Sequence, residues 1–156
     1  MRKSRLAVAS FIALSFAIAA PAQNSDKEKI EALYQRYLKA FNAKDVNTIM
    51  AMYDSDELFV FDVVPPQEYK SWAAYKKDWE GLFAAYPGPL KNQLSEQAIT
   101  VVGSLAYSRC IQSGYFTTKE GSRLDMAVRV TDVLRKVKGK WLIVQEHVSS
   151  FRVDGR

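Results

Sequence analysis

The sequence has one cysteine, so no disulfide can form within the chain. Cys110 lies in a run with strand character, residues 106–111, among apolar neighbours. A reactive thiolate needs an exposed, electropositive environment, which an apolar strand does not favour. We therefore predict that Cys110 is a buried core residue rather than a nucleophile, with an intermolecular disulfide as the alternative.

The sequence also has a single histidine, His147, which limits the metal chemistry open to it. The acidic residues Asp62, Asp125 and Asp132 do not show the spacing of a zinc or calcium site. Ser149 lies two residues from His147, without the sharp turn that presents a catalytic serine. No glycine-rich phosphate loop is present. We predict no metal and no cofactor.

A long apolar run occurs only near the start of the sequence. Arg2, Lys3 and Arg5 precede an almost unbroken apolar run at 6–20, and small residues follow at 20–22. This order is typical of a cleaved signal peptide. The run is shorter than the roughly 20 residues that cross a bilayer. We predict a signal peptide at 1–22 and export to the periplasm or the medium, with an uncleaved anchor as the alternative.

The net charge of +5 comes largely from this segment, because removing its three basic residues leaves 19 basic against 17 acidic residues. The remaining basic pairs, such as Lys76-Lys77 and Arg135-Lys136, are short and typical of solvated surface. We therefore predict no nucleic-acid partner, and no membrane association once the signal is cleaved.

Residues 23–156 are enough for one domain with a hydrophobic core. Three segments have helical character: an amphipathic run near 26–41, a short segment that Asp45 can cap, and a run that Ser71 can cap. The third carries an aromatic-rich stripe: Trp72, Tyr75, Trp79, Leu82, Phe83 and Tyr86. A strand at 58–63 lies between the second and third helices.

Four strand-like runs follow Pro89, at 97–102, 106–118, 123–137 and 140–153, with short turns between them. Helices first and an antiparallel meander afterwards indicate an α+β fold. We predict a cone-shaped α+β barrel in which the N-terminal helices pack on a curved antiparallel sheet and enclose a cavity for a small ligand.

The last hairpin decides which polar side chains share a face. A two-residue loop at Lys138-Gly139 places Arg129 and His147 on opposite faces, whereas a three-residue loop places them directly across from each other. We favour the three-residue loop, with Thr131 across from Gln145. Trp141, Ile143, His147 and Ser149 then share one face with Arg129, Thr131 and Val133, as the floor of a polar-tipped pocket.

Several segments resemble the nuclear transport factor 2-like superfamily, in particular its SnoaL-like and ketosteroid-isomerase-like exported bacterial members. These are residues 37–45 of the first helix, the segment 61–66 with Tyr69, Trp72 and Tyr75 behind it, and the endings Arg-x-Thr at 129–131, Gly-Lys-Trp at 139–141 and His-x-Ser at 147–149. The resemblance implies the cone fold and a homodimer in which two sheets pair. It also implies that Glu146, on the other sheet face, is an interface residue.

The resemblance and the strand patterns together give the candidate site. Asp62 is the candidate base, the role that aspartate has in ketosteroid isomerases, and His147 is a second candidate for proton transfer. Arg129 would bind an anionic group. Candidate lining residues are Tyr69, Trp72, Tyr75, Tyr107, Thr131 and Ser149. For each residue a structural role is the alternative: an internal hydrogen bond or ion pair for Asp62, His147 and Arg129, and core packing for the aromatic stripe.

We therefore expect an exported protein that binds a small organic ligand, anionic or aromatic, in a polar-tipped apolar pocket. One hypothesis is a cofactor-free isomerase, cyclase or dehydratase that uses an acid–base residue. The alternative is a non-catalytic periplasmic ligand-binding protein or a dimeric interaction module.

Overall fold

The computed structural model describes residues 20–150, with side chains from residue 25 onward. The predicted signal peptide lies mostly in residues 1–19, outside the described residues, and stays a prediction. Within 20–150, no helix is both long and apolar enough to cross a membrane.

Three helices form one layer of the fold. Helix α1 spans Ala20–Asn42 and buries residues spaced three or four apart, from Ile30 to Phe41. Helix α2 spans Val46–Met50, and helix α3 spans Trp72–Ala85. The side chain of Asp45 accepts the Thr48 N–H at 3.0 Å, and that of Ser71 accepts the Ala74 N–H at 3.3 Å. Both predicted N-caps are confirmed.

One six-stranded sheet forms the other layer. Its strands are β1 (Phe59–Phe61), β2 (Glu68–Tyr69), β3 (Lys91–Val102), β4 (Leu105–Thr117), β5 (Arg123–Val137) and β6 (Lys140–Ser150). The order across the sheet is β2-β1-β6-β5-β4-β3. Strand β1 runs parallel to β6, and the other neighbouring pairs are antiparallel, so the sheet is mixed. The α+β cone predicted from the sequence is confirmed.

The hydrophobic core fills the space between the helices and the inner face of this sheet. Cys110 on β4 is buried with a free thiol. Burial, and then the negative charge of Asp132 and Glu146, raises the pKa of this thiol to about 12. A thiol with this pKa is protonated at neutral pH, so Cys110 has the character of a core residue.

Strand β3 begins six residues before the predicted start at 97. It pairs with β4 from Lys91 onward, directly after the Pro87-Gly88-Pro89 break. The register shifts between Ser95 and Ala98, and Glu96 has a φ of +53°. This bulge interrupts the alternation of inward and outward residues, which hid the first half of the strand from the sequence pattern.

The predicted three-residue loop between β5 and β6 is wrong. Val137 pairs with Lys140, which leaves a two-residue loop of Lys138 (φ +49°) and Gly139 (φ +81°). Two positive φ angles are those of a tight type I′ turn, whose twist fits a hairpin.

A second irregularity follows along the same hairpin. Leu134 pairs with Ile143 but Val133 pairs with Gln145, so Val144 is an extra residue in β6. As a result Arg129 lies across from Ser149, and Thr131 lies across from His147.

Candidate functional site

A cavity of about 660 Å³ opens between α1, α3, the β1–β2 connection and the inner face of β4, β5 and β6. Most of its wall is apolar, from aliphatic residues of β5 and β6 such as Val128, Val130 and Val148. Aromatic rings form a second large part of the wall: Tyr37, Phe41, Tyr69, Tyr75, Trp79, Tyr86 and Phe116.

The ionisable groups of the wall are mostly acidic. Asp62, Asp78 and Glu146 line the cavity, against one basic residue, the exposed Lys77. The Tyr69 hydroxyl donates a hydrogen bond to Asp78 Oδ1 at 2.6 Å. Burial, with Asp78 as the main partner, raises the pKa of Tyr69 well above its usual value, so this phenol stays protonated at neutral pH.

Asp62 follows directly after β1, at the β1–β2 side of the cavity. Its carboxyl group is partly buried, and its Oδ1 accepts the Val63 N–H at 2.5 Å. Burial raises the pKa of Asp62, the N–H groups of Val63 and Val64 oppose this, and the nearby Asp78 adds to the rise. A carboxylate with a raised pKa at the wall of an apolar cavity is suited to accept a proton.

Glu146 lies on the inner face of β6, and its prediction as an interface residue on the outer face is wrong. The extra residue Val144 reverses the alternation along β6, so Glu146 points inward and is 4% exposed. Its Oε1 accepts the Tyr75 hydroxyl at 2.5 Å, and its Oε2 accepts the Tyr53 hydroxyl at 2.8 Å. Burial raises the pKa of Glu146 although both phenols favour its ionised form.

Asp132 on β5 pairs directly with Glu146 across the ladder and is 1% exposed. Its Oδ2 accepts the Tyr34 hydroxyl at 2.6 Å, and Tyr34 also hydrogen-bonds to Ser108. Burial and the neighbouring Glu146 raise the pKa of Asp132 well above its usual value. This carboxyl therefore lies behind the cavity wall rather than in it.

Five of the predicted site residues lie on the outer face of the sheet, away from the cavity: His147, Arg129, Thr131, Tyr107 and Ser149. His147 is exposed and packs edge-on against the Phe61 ring, with centroids 5.7 Å apart. Arg129 is exposed and donates to the Ser150 carbonyl at 3.0 Å. Thr131 is exposed, and Tyr107 is 52% exposed. The sequence correctly placed four of these residues on one face, but that face is the outer one. The two-residue loop leaves Arg129 and Thr131 pointing outward, and the bulge turns His147 and Ser149 outward as well.

The aromatic candidates divide between the cavity and the core. Tyr69 and Tyr75 line the cavity, as predicted. Trp72 instead donates its indole N–H to the Met50 carbonyl at 2.8 Å, which joins α3 to α2. Asp78 was missed by the sequence analysis, although its position three residues after Tyr75 places both on one face of a helix.

Gln112 on β4 is a further polar group of the wall that the sequence did not indicate. Its side-chain oxygen accepts the Tyr37 hydroxyl at 3.2 Å and the Asn92 amide at 2.7 Å.

Among residues 20–150, no group of histidine, cysteine and acidic side chains has an arrangement that could hold a metal ion.

Comparison with known proteins agrees with this architecture. The chain overlays an NTF2-like protein of unknown function from Pseudomonas putida KT2440 with a TM-score of 0.74 and 23% identity, over 84% of this chain and 91% of that chain. A nuclear transport factor 2 superfamily protein from Salmonella enterica gives a TM-score of 0.75 at 19% identity, over 85% and 95%. A protein provisionally described as a scytalone dehydratase, from Novosphingobium aromaticivorans, gives 0.75 at 18% identity, over 85% and 89%.

These TM-scores show a shared fold, whereas identities below 25% leave activity open. No curated protein matches the chain. The sequence profile of the SnoaL-like domain matches residues 30–153, most of the chain. The protein therefore belongs to the SnoaL-like domain family.

Proposed function

We propose that the protein is a cofactor-free acid–base enzyme, a dehydratase or isomerase, acting on a small hydroxy- or keto-compound in the cone cavity. The observation that carries this proposal is Asp62: a partly buried carboxyl, with a pKa raised by burial, in the wall of an otherwise apolar cavity. A base with a raised pKa can abstract a proton next to a carbonyl group near neutral pH.

The cavity sets the size and surface of the ligand. A volume of about 660 Å³ is within the usual range for small-molecule sites. The walls of aromatic rings and valines favour a flat, mainly apolar molecule. The Gln112 amide would donate to a carbonyl oxygen of the ligand. The phenol oxygens of Tyr69 and Tyr75, whose protons go to Asp78 and Glu146, would accept from a ligand hydroxyl.

An uncharged ligand fits this cavity better than the anion expected from the sequence. That expectation depended on Arg129, which lies on the outer face of the sheet. Among the described residues, the cavity wall has three carboxyl groups and one exposed lysine, and carboxylates at an apolar wall repel an anion. We propose a neutral substrate with a hydroxyl group β to a carbonyl, the substitution pattern from which base catalysis can eliminate water.

Proton transfer can be tested before the substrate is known. A panel of neutral cyclic and aromatic β-hydroxyketones is incubated with the protein in D₂O, and loss of the α-proton signal is followed by NMR. We expect the wild type to accelerate exchange for some members, and Asp62→Asn to reduce the rate at least about 100-fold, as for loss of a general base. The matched control is Asp125→Asn, which neutralises an exposed aspartate on β5.

Arg129→Ala is a second control, and exchange should be unchanged because this side chain lies on the opposite face. Equal exchange rates in the wild type and Asp62→Asn would overturn the proposal.

Binding of a panel member without exchange would favour the alternative, a non-catalytic binding protein. One observation supports it: Asp62 Oδ1 already accepts the Val63 N–H, a bond that holds the chain after β1. Calorimetry on the same panel separates the two functions, because it measures binding whether or not a proton moves.

Export and a homodimer are also proposed. The basic and apolar pattern of residues 1–22 supports export. The exposed aromatic and aliphatic residues of the outer sheet face, including Phe61 and Tyr107, suit a second copy of the chain. Fractionation of the producing cells and a sizing column at micromolar concentration test these two proposals.

A further inference from the structure

Two buried carboxyl groups form a pair: Glu146 lies at the cavity floor, and Asp132 lies behind it. Asp132 and Glu146 are directly paired across β5 and β6, 1% and 4% exposed. Side chains paired in this way have Cβ atoms roughly 5 Å apart. Two negative charges at that separation, out of water, repel each other strongly.

Within the part of the chain that the structure describes, the groups around the pair offer no compensating positive charge. Helix α1 contributes the phenols of Tyr34 and Tyr37, and the segment after α2 contributes Tyr53. Helix α3 contributes Tyr75, and the end of β1 contributes the carboxyl of Asp62. Strand β4 contributes the Ser108 hydroxyl, the Cys110 thiol and the Gln112 amide. The hydrogen bonds and ion pairs described for the two carboxyls include no cation.

The hydrogen bonds distinguish the two carboxyls. Each oxygen of Glu146 accepts one phenol, an arrangement that suits an ionised carboxylate. Asp132 Oδ2 accepts Tyr34, but Asp132 Oδ1 is buried and receives no N–H or O–H donor from the residues that the structure describes. A proton on Asp132 would remove the repulsion and would turn this unpaired oxygen from an acceptor into a donor.

We propose that Asp132 and Glu146 together hold one proton at neutral pH, and that Glu146 is the second proton-transfer residue of the cavity. Glu146 lines the cavity, whereas Asp132 does not, so Asp132 is the positioning residue of the pair. This inference rests on the proposed function, because it assigns a second group to the same reaction.

The assignment gives a balanced dehydration. Asp62 takes the proton from the carbon next to the carbonyl, and the C–H electron pair forms the C=C bond. The proton of the pair moves from Asp132 to Glu146, the C–O bond breaks, and the leaving hydroxide takes this proton from Glu146 to form water. Asp62 then carries one proton more than before and the pair one fewer. Transfer from Asp62 to Glu146 through the released water restores both groups.

The proton count can be measured without a ligand. Capillary electrophoresis at pH 7 gives the net charge of the wild type and of the double variant Asp132→Asn/Glu146→Gln, with Asp125→Asn as the one-unit standard. We expect the double variant to differ from the wild type by one unit of charge, because only one of the two carboxyls is ionised. A difference of two units, or of none, overturns the shared proton. Near-UV circular dichroism establishes that the variant keeps the native fold.

The catalytic role has a separate readout. On any β-hydroxyketone that exchanges its α-proton, Glu146→Gln should keep this exchange but slow the elimination of water at least about 100-fold, as for loss of a general acid. Asp132→Asn should keep elimination but move its pH dependence, so that the rate declines at lower pH than in the wild type. Equal loss of exchange and elimination in Glu146→Gln would overturn the assignment.

The two proposals fail in different ways. If Asp62→Asn exchanges as fast as the wild type, the proposed function fails whatever the charge of the pair. If Asp62→Asn loses exchange but Glu146→Gln eliminates water at the wild-type rate, the proposed function stands and only the role of Glu146 is overturned.

Discussion

Gly114 lies on β4 at a point where the backbone of β3 leaves no room for a side chain. A Cβ atom at this position would lie 1.8 Å from the Lys91 carbonyl oxygen. A backbone atom cannot move away without breaking the β3–β4 ladder. We predict that Gly114→Ala lowers the free energy of unfolding by about 2 kcal/mol or more, measured by urea denaturation.

Gly81 provides the matched control, because the same substitution should have the opposite sign there. It lies inside α3, and a Cβ atom would meet no other atom within 4 Å. Gly81→Ala should therefore raise the free energy of unfolding by roughly 0.5–1 kcal/mol, the usual helix preference for alanine. A destabilised Gly81→Ala, or a neutral Gly114→Ala, would contradict the described packing.

At the residue scale, the sequence predicted some of the cavity residues from the first half of the chain and missed others, among them Asp78. Asp62, Tyr69 and Tyr75 were found because an acid within an apolar strand and a helical stripe are local patterns. Glu146 could not be found in this way. Whether the Glu146 side chain points inward or outward depends on the number of residues between Glu146 and the turn. The bulge adds Val144 to that number and so reverses the direction.

At the scale of elements, the β5–β6 hairpin shows how a short irregularity changes a site. Residues 141, 143, 145 and 147 alternate regularly in the sequence, so a regular strand would give them one common face. Trp141 and Ile143 are buried but Gln145 and His147 are exposed, because the bulge lies between the two pairs. A bulge has no strong sequence signal, whereas the caps Asp45 and Ser71 have one and were predicted correctly.

The turn of this hairpin gives a prediction at the same scale. Lys138 and Gly139 both have positive φ angles, and the first position of such a turn prefers asparagine. We predict that Lys138→Asn stabilises the protein by about 0.5–1 kcal/mol. Gly139→Ala should destabilise it by about 1–2 kcal/mol, because alanine is strained at positive φ.

Thermal unfolding of both variants gives the measurement, and the two midpoints should move in opposite directions. Both residues lie in the turn, outside the cavity wall, so exchange activity should stay at the wild-type level. A stabilising Gly139→Ala would show that the turn has a different conformation.

At the scale of the whole molecule, the order of helices and strands was sufficient to predict the cone, because each layer must bury its apolar face on the other. The parallel pairing of β1 with β6 was not predicted, since it joins residues 86 positions apart, such as Phe59 and Gln145. Packing between distant segments also brings the phenols of Tyr34 on α1, Tyr53 after α2 and Tyr75 on α3 against the buried pair of Asp132 and Glu146.

The carboxyl groups of the molecule fall into two classes with opposite effects on stability. A hydrogen bond from Lys136 at 2.8 Å lowers the pKa of Asp26. Burial opposes ionisation of Asp54, but the N–H groups of Asp56 and Glu57 and the Arg135 side chain lower its pKa. These two groups stabilise the fold above the unfolded-state pKa, about 4, and the contribution is lost as pH falls.

The buried pair acts in the other direction, and this gives the last prediction. The pKa of Asp132 and that of Glu146 are raised by burial, so the folded state binds more protons than the unfolded state once pH exceeds the unfolded-state values. Their contribution is present below about pH 4 and is lost as pH rises through the folded-state pKa values.

Wild-type stability should therefore be greatest at mildly acidic pH and decline toward neutral pH. In Asp132→Asn this decline should be smaller, whereas Asp26→Asn should keep it and show a smaller fall at acidic pH, because Asp54 still contributes there. Urea unfolding at a series of pH values measures both the fall in stability at acidic pH and the decline toward neutral pH. If wild-type stability rises continuously to pH 8, or if Asp132→Asn runs parallel to the wild type, the buried pair does not hold the extra proton.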